Sequence, residues 1–68
     1  MLTIEEVRVQ IADLVRTSDD FISYWYWEGW LDYLKHGSLQ VPSFDQKQNE
    51  EAYFMGFADA KGEDYGHF

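Results

Sequence analysis

Apolar residues recur along this chain at helical spacing, and no segment shows the sustained two-residue alternation of a half-buried strand. Ile4, Val7, Ile11, Leu14 and Val15 share one stripe while Leu2 and Val9 point the other way, which predicts a helix from about Ile4 to Arg16 with the stripe facing a core. Thr3 serves as its N-cap, and Glu6, three residues on, completes a capping box. A second helix is predicted from about Asp19 to His36. Ser18 is its N-cap, Asp19 and Asp20 lie at the positive end of the dipole, Lys35 and His36 at the negative end, and Gly37 takes the C′ position. After the loop SLQVP, where Pro42 bars continuation of the preceding element, Ser43 and Gln46 predict a third helix from about Phe44 to Lys61, stopped at Gly62. The expected fold is all-α, a small three-helix domain over residues 1–62, with a flexible acidic tail over residues 63–68.

Projected around its axis, the second helix divides its rings. Ile22, Tyr26, Trp27, Trp30, Leu31, Tyr33 and Leu34 fill a wide sector expected to meet the other helices. Phe21 and Trp25 fall outside it, four residues apart, on the side of Glu28, Asp32, Lys35 and His36. A central helix packed on two sides accounts for that pair without any function; an exposed aromatic anchor ringed by charge accounts for it as a binding site. The third helix shows the same division. Tyr53, Phe54, Phe57 and Ala60 make its inner stripe, whereas Phe44, Met55 and Ala58 gather beside Gln48, Glu51 and Asp59. With three Trp, five Tyr and five Phe in 68 residues, more ring is present than one small core readily encloses, and a homodimer is the expected outlet.

The crowded stretch also has a counterpart. Tyr26-Trp27-Glu28-Gly29-Trp30-Leu31-Asp32 aligns with Tyr53-Phe54-Met55-Gly56-Phe57-Ala58-Asp59, both reading Tyr, aromatic, any, Gly, aromatic, any, Asp. A glycine inside a helix costs about 1 kcal/mol relative to alanine. Two at matched positions predict that the second and third helices cross at Gly29 and Gly56, with Trp27, Trp30, Phe54 and Phe57 around the contact.

Thirteen acidic residues against five Lys and Arg give a formal net charge of −8. A phosphate backbone would be repelled, which argues against direct nucleic-acid binding and permits a carboxylate surface that docks on a basic groove of another protein, although composition alone favours solubility as the role of these charges. The absence of cysteine points to a reducing compartment, the cytoplasm, and removes disulfides and thiolate metal sites. No apolar run approaches the roughly 18 residues that span a bilayer, and MLTIEEVRVQ lacks the basic-then-apolar order of a signal peptide.

Phosphate loops, dinucleotide-binding fingerprints and nucleophile elbows are all missing, so no catalytic residue and no cofactor are assigned and the chain is expected not to be an enzyme. Glu28, Asp32 and His36 share a helix face, but positions eight apart lie about 12 Å apart along the axis, too far for all three to reach one ion. Glu63, Asp64 and His67 are a weaker cluster still. No metal site is assigned.

The segments Trp27 to Asp32 and Phe54 to Gly62 resemble the Gly-aromatic steps carried by the two short helices of the ribosome modulation factor family; the resemblance implies a helical fold and, as an alternative function, a ribosome-associated regulator. In size, acidity and lack of catalytic residues the chain is similar to small phage-encoded inhibitors, anti-CRISPR proteins among them. That likeness implies a non-enzymatic module of a phage or mobile element, acting in the host cytoplasm, that blocks the basic, nucleic-acid-binding surface of a host protein. The residues expected to meet the partner are Phe21, Trp25, Glu28, Asp32, Glu51 and Asp59. A small self-assembling structural subunit is the other alternative.

Overall fold

The computed structural model describes residues 2–17 and 21–64, which form three α-helices, with no strand among the described residues: α1 (Ile4–Thr17), α2 (Phe21–His36) and α3 (Lys47–Asp64). The capping box opens α1 as the sequence predicts. The Thr3 N–H donates to Glu6 Oε1 at 2.9 Å, and the Glu6 N–H donates to Thr3 Oγ1 at 3.2 Å. The Thr3 backbone N–H, and after it the Thr3 hydroxyl, favour the ionised Glu6 carboxyl and hold its pKa below the ordinary value. Gly37 closes α2 with φ of 70°, and its N–H reaches the Tyr33 carbonyl at 2.8 Å, the single 5→1 bond of a left-handed helix cap. Ser18, Asp19 and Asp20, predicted to open α2, lie outside the described residues.

The third helix departs from its predicted bounds at both ends. Gln46 is the first residue whose carbonyl accepts from the helix, taking the N–H of Glu50 at 3.4 Å, so α3 starts at Lys47 and not at Phe44. Phe44 is drawn back onto Trp25 and Tyr53, with ring centroids 4.9 and 5.6 Å apart, and that packing keeps it out of the helix. At the other end α3 runs through Gly62 to Asp64. A glycine ends a helix when it turns left-handed, and Gly62 does not. Glu63 and Asp64, expected in the tail, are therefore helical; Tyr65 to Phe68 lie outside the described residues.

The connection 37–46 sets the topology. It runs back along α2, so that α3 starts beside the beginning of α2 and both helices proceed in the same direction. Ile22 and Tyr26 lie near Gln48 and Ala52 at one end, while at the other the Tyr33 hydroxyl donates to Asp64 Oδ2 at 2.6 Å. Ten residues of extended chain reach about 33 Å, comfortably more than the ~24 Å length of α2.

The two glycines are where these helices touch. A Cβ on Gly29 would fall on the carbonyl oxygen of Tyr53 and lie 2.8 Å from the Phe57 nitrogen; one on Gly56 would fall on the carbonyl oxygen of Tyr26. Each glycine thus packs on the backbone three residues before the other, the relation that a two-fold axis between parallel helices imposes. The side chains obey the same exchange. The Tyr26 hydroxyl donates to Asp59 Oδ2 at 2.6 Å, and the Tyr53 hydroxyl donates to Asp32 Oδ2 at 2.5 Å. The tyrosine of each repeat is bound by the aspartate of the other, one pair on either flank of the glycine contact.

Helix α1 packs on α2, placing Val7, fully buried, in a cluster with Trp30, Leu31 and Ala60. Leu2 packs against this cluster, whereas Val15 is 67% exposed, the reverse of their predicted assignments. The α1 stripe was drawn one residue too long, since Val15 lies outside the core, and Leu2, ahead of the helix, escapes helical periodicity altogether. In α3 the buried residues are Ala52, Tyr53, Gly56 and Ala60, while Phe54 is exposed and Phe57 half-buried. Small residues face α2 because the backbones come so close. Ile22, predicted to face the other helices, is exposed as well.

Candidate docking groove

The seam between α2 and α3 is closed by its own residues, whereas near the start of α2 the described residues form a groove. Leu14 and Val15 of α1, Phe21, Tyr24 and Trp25 of α2, Ser43 to Gln46 of the connection and Asn49 of α3 line a groove of about 510 Å³. Phe21 is 63% exposed at its edge. Trp25 is half-buried, held edge-on between Tyr24 at 5.1 Å and Phe44 at 4.9 Å. Phe44 in turn rests on Tyr53, so the groove wall is continuous with the repeat seam.

That wall is braced by Tyr53. Its side chain is fully buried, its hydroxyl donates to Asp32, and its oxygen accepts the backbone N–H of Gln40 at 3.1 Å. One phenol thus ties the returning connection to both helices. Burial, followed by the hydrogen bond to Asp32, pushes its pKa up to about 12, with the Gln40 N–H pulling the other way. Tyr26 is raised for the corresponding reasons, burial first and then its bond to Asp59. The Trp30 indole N–H is buried and makes no hydrogen bond with any described residue.

Next along α2 from the groove, Glu28 is half-buried. Burial raises its pKa, the Asp32 carboxylate raises it further, and the Lys35 ammonium partly offsets both. Its charge and local burial together raise Tyr24, the burial being the larger cause.

The six residues singled out from the sequence fall into two groups. Phe21 and Trp25 share the groove, with Glu28 and Asp32 one and two turns further along the same flank of α2. Glu51 and Asp59 belong to the other flank of the seam, where Glu51 borders a second, shallower groove of about 370 Å³ with Ile22, Tyr26 and Met55. Asp32 and Asp59 each receive a tyrosine hydroxyl within the fold. Sequence reasoning did not single out Tyr24, Phe44 and Asp45 for this site. Phe44 was assigned to α3, and only the returning path of the connection brings it and Asp45 beside Trp25.

Among the described residues no three His, Cys, Asp or Glu side chains converge as ligands for a metal, Glu28, Asp32 and His36 included; His67 lies outside the described residues. No helix is long and apolar enough to cross a membrane, among the described residues. The fold defines a small all-α protein built on a parallel, glycine-notched helix pair. Comparison of the chain with protein-family models, with curated proteins and with solved structures finds no match.

Proposed function

We propose that this chain is a non-enzymatic docking module that binds a basic surface of another protein through the Phe21–Trp25 groove. The observation that carries this reading is a wide aromatic groove, with Phe21 projecting at its edge, on a chain of net charge −8. Ring anchors in a partly dry groove supply binding energy, and surrounding carboxylates supply approach and orientation toward a cationic partner. Where the partner's basic surface is one that holds nucleic acid, occupancy by this chain competes with the nucleic acid. That is the mode of action of an inhibitor such as phages and mobile elements encode.

The test is affinity capture from a host lysate with the full chain, followed by binding measurements on the captured protein at increasing salt. A specific partner is expected to bind the native chain, to lose affinity steeply between low and physiological salt, and to bind Phe21→Ala and Trp25→Ala at least about tenfold more weakly, the scale of an interface hot spot. Affinity indifferent to salt, or undiminished by both substitutions, contradicts the reading.

A further inference from the structure

Granting the docking reading, on which this step rests, the groove's chemistry narrows what enters it. We propose that the groove receives an arginine side chain of the partner, its guanidinium lying against the rings of Phe21 and Trp25 and paired with the Asp45 carboxylate.

Three features of the lining point this way. The rings of Phe21, Tyr24, Trp25 and Phe44 supply several aromatic surfaces to one cavity, the setting in which a cation is attracted by ring quadrupoles. Asp45 stands in the same lining, exposed, and makes no hydrogen bond or ion pair with any described residue. Ser43 and Asn49 add a hydroxyl and an amide oxygen as further acceptors, beside the Gln46 amide oxygen, which already accepts from Gln48 Nε2. A wholly apolar ligand would strip water from Asp45 without replacing it, and an anion would be opposed by the charge of the whole chain. Among cations, an arginine head is planar, weakly hydrated and forked; it stacks on a ring and grips a carboxylate at once, which the compact, strongly hydrated ammonium of lysine does less well. The volume, about 510 Å³, exceeds a guanidinium alone and leaves room for the aliphatic stem against Leu14 and Val15.

The probe is Nα-acetyl-arginine amide, titrated into the isotopically labelled full chain and followed by amide and indole NMR shifts, with Nα-acetyl-citrulline amide as its neutral isostere. Saturable shifts are expected at the Trp25 indole and at the Asp45 and Asn49 amides. Citrulline should bind about fivefold or more weakly, the scale of one cation–π contact, and Asp45→Asn should weaken arginine by a similar factor while leaving citrulline unchanged. Equal response to arginine and citrulline, shifts dispersed over the acidic surface, or an Asp45→Asn variant that binds arginine as the native chain does would each overturn the assignment. The two readings fail separately. A captured partner lost on Phe21→Ala, with no arginine response in the groove, removes the arginine and keeps the docking site; a partner that binds Phe21→Ala normally removes the docking site itself.

Discussion

The α2–α3 seam and the groove beside it are built from the same kinds of residue, aromatics and carboxylates, yet the two regions dispose of them in opposite ways. In the seam the tyrosines and aspartates of the repeat consume one another: Tyr26 meets Asp59, Tyr53 meets Asp32, and the backbones touch at Gly29 and Gly56. In the groove Phe21 is left projecting and Asp45 unpaired among the described residues. The difference teaches that an aromatic next to an acid is not by itself a binding feature. What matters is whether a second element of the same chain reaches it, and in this fold the repeat guarantees that for the seam alone.

The strongest way to break this contrast is to deny the seam its closeness. Gly29→Ala or Gly56→Ala sets a methyl on an opposing backbone that cannot step aside, so each should cost more than the ~1–3 kcal/mol of ordinary overpacking, a large share of the roughly 3–10 kcal/mol available to a chain of this size. Denaturant unfolding should show both variants largely unfolded; a loss below about 1 kcal/mol would mean that the helices are not in contact there.

The two tyrosine locks should differ in strength although the repeat relates them. Tyr53→Phe strands Asp32 and the Gln40 N–H around a buried ring and should cost about 1–3 kcal/mol, while Tyr26→Phe, at a more exposed pair, should cost about 0.5–1.5 kcal/mol. Equal losses would remove the bracing role given to Tyr53.

Charge beside the groove offers a subtler probe. Because the Glu28 pKa is raised in the folded chain, the stability this carboxyl contributes is fully present below its ordinary value of 4.5 and is lost as pH rises through the raised value. Glu28→Gln should therefore melt at higher temperature than the native chain at neutral pH, with the two curves converging in acid below that value. A variant that is less stable at neutral pH would contradict this.

Gly62 supplies the smallest effect and the opposite sign to the seam glycines. It is helical, with nothing within 4 Å of where a Cβ would sit, so Gly62→Ala should gain about 0.5–1 kcal/mol.

Much of the fold was legible in the sequence where its cause is local or repeated. Thr3 with Glu6, Gly37 after Lys35 and His36, and the matched heptapeptides around Gly29 and Gly56 each carry their own physical signature. The direction of α3 was not legible, because a ten-residue connection permits either a short turn or a return along α2, and the hydrophobic pattern is the same in both. From that one unknown follows the misplacement of Phe44, whose partner rings lie on the returning path; Phe54 has a separate cause, an angular projection that puts it inward although the glycine contact admits only small neighbours. The tyrosine–aspartate exchange was hidden for a related reason. Periodicity sorts residues around their own helix and says nothing of which flank a second helix offers. At the candidate site, Phe21 and Trp25 were visible as rings outside the core sector, whereas Asp45 came from a segment read as helix.

The central claim is that the groove, and not the seam, is available to a partner, and Phe21 tests it most directly because it projects from the groove and makes no ring contact with any described residue. The measurement is the affinity of the captured partner for Phe21→Ala beside the unfolding free energy of the same variant. The account predicts a stability change within about 0.5 kcal/mol, as for an exposed substitution, together with at least about a tenfold loss of binding. Unchanged binding by a variant that folds as the native chain does would contradict it.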